Sequence, residues 1–340
     1  MNDDRLILRA IRRERTERRP LWIMRQAGRY LPEYRELRKT YSFKALSQSP
    51  ELATEVTLLP LKRYPLDAAI IFADIMSPLP ALGVEFDFDP GPVVENPVRD
   101  QAGVEALTPP DPDKLAPEVI EALQQTRAQI PEETALLGFC GAPWTLAAYL
   151  VQGRGVKDFP ALRAFAAAQP EALNALLAKL SDAMATYLIN QARAGADAVQ
   201  VFDSWAGILS LRDWERLIRP HLETMLEKVG EADVPRILFL QNAPHLMEAY
   251  ASLPAEVLSV DWRVDIADVQ ARHTSRAVQG NIDPAILLHG AALTEAAASD
   301  LLRRVDPQGH IVNLGHGILP GTPLESVEAL VGIVHNEKLQ

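Results

Sequence analysis

At 340 residues the chain is more than twice a common domain size of ~150 residues, which leaves room for two modest domains or one large barrel-type domain. Hydrophobic residues make up 48% and charged residues 23%, a globular balance that excludes fibrous and disordered classes. The net charge of −11 is uneven: residues 1–40 carry twelve Lys and Arg against six Asp and Glu, so this segment is +6 and the remainder −17. An acidic protein with one basic segment is a poor nucleic-acid binder, yet it can focus a small anionic ligand.

No apolar run reaches the ~18–20 residues that span a bilayer, and the start of the chain, rich in arginine from Arg5 to Arg19, lacks the apolar centre of a signal peptide. The expected location is the cytoplasm. Cys140 is the single cysteine, so neither an intrachain disulfide nor a zinc site with two cysteines of one chain can form. Residues 1–19 read as a basic segment with a solvated helix over 6–19.

In chain order, short apolar runs at 21–24, 68–73, 135–139, 198–202, 237–240, 257–260, 277–279 and 311–314 read as strands. Helical patterns at 50–64, 117–130, 170–194, 211–230, 244–253, 294–305 and 323–335 lie between most of them, several opening with proline in the first turn. Strands without polar alternation, separated by helices, predict a parallel sheet buried on both faces. Eight such units predict a closed (β/α)8 barrel, an α/β fold, rather than an open doubly wound sheet. Residues 86–99 alternate around Asp89-Pro90-Gly91-Pro92 and predict a β-hairpin inserted after the second strand. No linker or repeat interrupts the pattern, so residues 1–340 are expected to form one domain.

In such a barrel the loops after the strands open at one end, and polar residues collect there: Arg25 and Arg29, Asp74, Ser204, Asn242, Asp261 and His316. Arg25 and Arg29, four apart, would project together from a helical turn and clamp a carboxylate; ion pairs within the protein are the plainer use. Asp74 follows a wholly apolar run and would face a ligand's N–H groups or a developing cation, unless it caps a helix. His316 stands between Gly315 and Gly317, a turn that lets backbone approach a ligand but is as often structural. Tyr149 and Ser204 are weaker signals, since both residue types commonly serve the local backbone. No phosphate loop, dinucleotide fingerprint or HExxH motif occurs, and none of the eight lysines follows a predicted strand end, which disfavours Schiff-base chemistry.

The run from Pro20 to Arg35 (PLWIMRQAGRYLPEYR) closely resembles the N-terminal signature of the uroporphyrinogen decarboxylase family, and Gly138 to Leu146 (GFCGAPWTL) resembles its second signature. Phe72-Ala73-Asp74-Ile75, Phe202-Asp203-Ser204-Trp205-Ala206-Gly207 and Leu314-Gly315-His316-Gly317 are similar to further family segments, in the family's order. The one departure noted is Ala73, where the family often has Ser. The resemblance implies a cofactor-free (β/α)8 enzyme, usually a homodimer, that removes four acetate carboxyls from uroporphyrinogen to give coproporphyrinogen. It also implies that Arg25, Arg29, Asp74, Tyr149, Ser204 and His316 line the cleft, with Asp74 and Arg25 nearest the chemistry. Two other readings are a cobamide-dependent methyltransferase, which would need a zinc set that Cys140 alone does not supply, and a tetrapyrrole carrier without turnover.

Overall fold

The computed structural model describes residues 4–89 and 91–339. Residues 1–3 of the basic segment, Pro90 of the predicted hairpin, and Gln340 lie outside the described residues. Among the described residues nine strands follow one another: β1 (Ala68–Ile70), β2 (Phe86–Phe88), β3 (Pro92–Val94), β4 (Ala135–Gly141), β5 (Ala198–Asp203), β6 (Arg236–Leu240), β7 (Val257–Val260), β8 (Ala277–Gln279) and β9 (His310–Ile311). Seven of them form one parallel sheet in the order β1-β4-β5-β6-β7-β8-β9. All residues of β4 and β7 are buried, as continuous apolar runs covered on both faces require.

The predicted strand over 21–24 is reduced to a single parallel bridge between Leu21 and Val312, just past β9. On its other side the Leu21 carbonyl accepts the amide of Asp67, next to β1, at 2.9 Å. The two edges of the curled sheet therefore approach one another across residue 21. Inside, the Trp22 indole donates to Gln279 at 2.8 Å, and Gln279 donates to Gln200 (3.1 Å) and Ser259 (2.9 Å), so a buried polar relay links β5, β7 and β8.

Helices opening with proline, Pro50–Arg63, Pro117–Arg127, Pro143–Gln152 and Pro170–Arg193, cover the sheet, because proline's fixed φ suits the first turn where its missing N–H costs nothing. At the end of the last of these, buried Gln191 accepts the Phe139 amide (2.8 Å) and donates to the Phe139 carbonyl (2.9 Å). A Cβ at Gly138 would stand 2.5 Å from the Gln191 carbonyl oxygen, so β4 has glycine there.

Two helical expectations change. The basic helix covers only Leu6–Ile11, because Arg13 adopts a left-handed φ of 58° and the following arginines anchor elsewhere: Arg18 grips Asp67 with both nitrogens (2.7 and 2.8 Å) and buried Arg19 pairs with Glu337. The helical pattern over 211–230 breaks at Ile218 into Leu211–Leu217 and Arg219–Gly230, since Pro220 removes an amide from the ladder. Short helices at Pro32–Thr40, Phe43–Gln48 and Pro160–Ala168 were absent from the sequence reading. Between β1 and β4, β2 and β3 pair antiparallel, with Phe86 opposite Val94.

Candidate active site

Parallel strands deliver their C-terminal ends to the same side of the sheet. Asp74 follows β1, the helix bearing Tyr149 follows β4, Ser204 follows β5 directly, Arg263 follows β7, and His316 follows β9. Arg25 joins them because the Ile318 amide donates to the Met24 carbonyl and Asn313 accepts the Met24 amide, both at 2.9 Å, holding residue 25 beside the 315–318 turn. Arg25 does not sit on a helical turn as expected. Its φ of 63° is left-handed, and its side chain lies over Gly317, where a Cβ would come within 2.3 Å of the Arg25 Cδ.

Arg25 is the electrostatic centre of the group. Its charge acts on Asp74, Tyr149 and His316, and Arg29 adds like charge beside it. The residue retains exposed surface, yet the surrounding protein desolvates the guanidinium enough to lower its pKa, against the pull of Asp74. Burial raises Asp74 to about 6, opposed by the Met76 amide, which donates to its Oδ1 at 2.9 Å, and by Arg25. Asp74 thus also caps the turn that follows it, the plainer role foreseen for it. Burial lowers His316 to about 4, aided by Arg25 and Arg263, so its ring is neutral at physiological pH and can donate from one nitrogen while accepting at the other. Burial raises the Tyr149 hydroxyl, whose ring meets Phe159 and Trp205 edge-on at centroid distances of 6.0 and 6.4 Å.

Arg29 and Ser204 stand further out. Arg29 is exposed and its carbonyl accepts from Arg35 at 3.1 Å. The Ser204 amide donates to Thr145 at 2.9 Å, and Ser204 reaches the others through Trp205, the neighbour of Tyr149. Beneath this loop, buried Asp203 accepts from Thr145 at 2.8 Å and from Tyr250, whose hydroxyl also accepts from the Trp214 indole at 3.2 Å. Tyr250→Phe is expected to cost about 1–3 kcal/mol by leaving a buried carboxylate short of a donor. A lower urea midpoint at unchanged m would show it, and an unmoved midpoint would count against the network.

Arg263 was missing from the sequence reading. It stacks on Trp262 with its guanidinium carbon 3.9 Å from the ring centroid, pairs with Asp261 at 2.7 Å, and acts on His316. Its position directly after the Asp261-Trp262 strand end was the available signal. Among the described residues, no group of three His, Cys, Asp or Glu side chains is arranged to hold a metal ion.

The parallel α/β sheet thus gathers Arg25, with Arg29 and Arg263 nearby, around the raised carboxyl of Asp74 and the neutral ring of His316. Residues 2–337 match the family described as Uroporphyrinogen decarboxylase (URO-D). The uroporphyrinogen decarboxylase of Sorangium cellulosum is 44% identical over 333 residues, covering 97% of this chain and 95% of that protein. That of Carboxydothermus hydrogenoformans is 42% identical over 339 residues, with 98% and 96% covered. The chain belongs to the uroporphyrinogen decarboxylase family. A solved methyltransferase from Methanosarcina mazei has a TM-score of 0.83 over 98% of both chains at 21% identity, a likeness of fold. No helix among the described residues is long and apolar enough to cross a membrane.

Proposed function

We propose that the protein removes the four acetate carboxyls of uroporphyrinogen, yielding coproporphyrinogen and CO2, from a cleft lined by Arg25, Arg29, Asp74, Tyr149, Ser204 and His316. The carboxy-lyase activity in tetrapyrrole synthesis follows from the family. The residue roles rest chiefly on one observation, the sharing of the Arg25 charge by Asp74, Tyr149 and His316. In this reading the 21–24 segment acts as the eighth strand of a (β/α)8 barrel, residues 1–340 form one domain with the β2–β3 pair as its inserted hairpin, and the cytoplasmic enzyme works as a homodimer.

Loss of CO2 from an acetate on a pyrrole leaves an electron pair, and protonating the ring carbon makes the pyrrole its own sink. The chemistry then needs no organic cofactor. Asp74, ionised, accepts the pyrrole N–H groups and stabilises the cation, an interaction that strengthens where water is excluded. Arg25 and Arg29 hold acetate and propionate carboxylates, while Tyr149, Ser204 and neutral His316 bind the remaining polar edges. A guanidinium is a poor general acid, so the proton comes from water or from a substrate carboxyl oriented by Arg25.

Anaerobic incubation with reduced uroporphyrinogen, following the carboxyl count of the products, tests the activity. Stepwise loss of four carboxyls is expected; tight binding without CO2 release would make the protein a carrier. Arg29→Ala is expected to raise KM about tenfold, the size of one exposed charge-assisted contact, with folding intact. An unchanged KM would remove Arg29 from the clamp.

A further inference from the structure

Each decarboxylation of a carboxylate takes up one proton, because the electron pair left by CO2 ends in a new C–H bond. Four acetates therefore draw four protons from outside, while a tetrapyrrole seated over Asp74 covers the front of the cleft. A second opening adjoins Asp74. A cavity of about 380 Å³ is lined by Gln48 at the end of the helix Phe43–Gln48, by Ser77 and Pro80, by Lys114, and by Glu118 in the first turn of Pro117–Arg127. Against it sits a space of about 10 Å³, bounded by Lys44, Gln48, Asp74, Ser77 and Glu118, which is room for about one water among several polar partners. Gln48, Ser77, Pro80 and Glu118 line both, and Glu118 is the one titratable side chain the two linings share.

We propose that this passage is a second entrance for protons, in which Glu118 takes a proton from solvent and hands it through a single water to Asp74. The proposal rests on the decarboxylase reading above. The Glu118 carboxyl gives its proton to the water, and the water gives one of its own to the Asp74 carboxylate. Asp74 releases it toward the reacting carbon by way of the water or carboxyl held by Arg25. Asp74 is then ionised again, and solvent reprotonates Glu118. Charge and atoms balance, and the net uptake is one proton per CO2.

An acid in the first turn of a helix is favoured by the free N–H groups there, which alone would account for a surface glutamate. Glu118 differs in being partly buried, with its carboxyl raised by desolvation and shared between the two cavities. The charged and titratable groups around it are Lys44 and Lys114, Asp74, and Tyr187 from Pro170–Arg193. Lys44 and Lys114 are engaged with Asp87 (3.7 Å) and Asp111 (3.4 Å), and Glu118 joins no ion pair among the described residues. Glu118 is a positioning residue for proton supply.

The test is steady-state CO2 release across pH by Glu118→Gln, Glu118→Asp and Gln48→Phe, the last filling the outer cavity from an exposed position. Glu118→Gln and Gln48→Phe are expected to lower kcat about five- to fiftyfold on the alkaline side, where protons are scarce, with KM unchanged. Glu118→Asp should restore most of the rate. Wild-type kcat at every pH in both Glu118→Gln and Gln48→Phe would overturn the entrance and leave the decarboxylase reading standing, as would a change confined to KM. A wild-type protein that releases no CO2 would sink both.

Discussion

Asp74→Asn is expected to lower kcat about 100- to 1000-fold, the usual consequence of deleting one preorganised electrostatic partner of the transition state, while making the protein more stable at alkaline pH. The two effects share a cause. In the folded protein the carboxyl is raised from 3.8 to about 6 by burial, so the native state binds this proton more readily than the unfolded chain does. The cost to stability is absent below about pH 4, grows as pH rises toward about 6, and is fully present above that. Two pKa units correspond to about 3 kcal/mol, of which on the order of 1–3 kcal/mol is expected after allowing for solvent at this half-buried site. Asparagine carries no charge and its carbonyl can still accept the Met76 amide. Urea denaturation near pH 8 should therefore favour the variant, with the advantage vanishing near pH 4. Wild-type turnover would remove Asp74 from the mechanism, and a less stable variant near pH 8 would remove burial as the cause of its raised pKa.

Arg25→Gln should be the second large effect, a fall in kcat/KM of about 100-fold, matching loss of a charge-assisted bidentate contact worth about 3 kcal/mol. A pH readout separates this from simple damage. Arg25 is one of the influences holding Asp74 down and one of those depressing His316, so both groups should titrate higher in the variant. The acid limb of kcat should move to higher pH, and the His316 ring signal in NMR should follow. An acid limb that stays in place would show that Asp74 does not feel Arg25.

The parallel strands and most covering helices were legible because a strand buried on both faces needs an unbroken apolar run, and a proline at a helix start leaves its own mark. The strands at 257–260 and 277–279 have the bounds expected of them. The Leu21 segment was harder to read: its run is apolar, but Gln26 turns back so that its side chain accepts the Ile23 amide and donates to the Ala68 carbonyl, replacing strand pairing with side-chain contacts. Arg263 is harder to read from the sequence because, although its stacking partner Trp262 is the adjacent residue, its action on His316 depends on a neighbour 53 positions along the chain.

Residue types and their order by themselves determined an alternating α/β chain, the single cysteine, and polar residues at the strand ends, since these follow from local periodicity and composition. Tertiary structure alone decided that Arg25 lies across Gly317, that one guanidinium serves Asp74, Tyr149 and His316, and that Glu118 shares a cavity with Asp74. The physical reason is that desolvation and charge coupling depend on which surfaces meet in space: residues 25, 74 and 316 come together, and Glu118 comes beside Asp74, only in the folded chain.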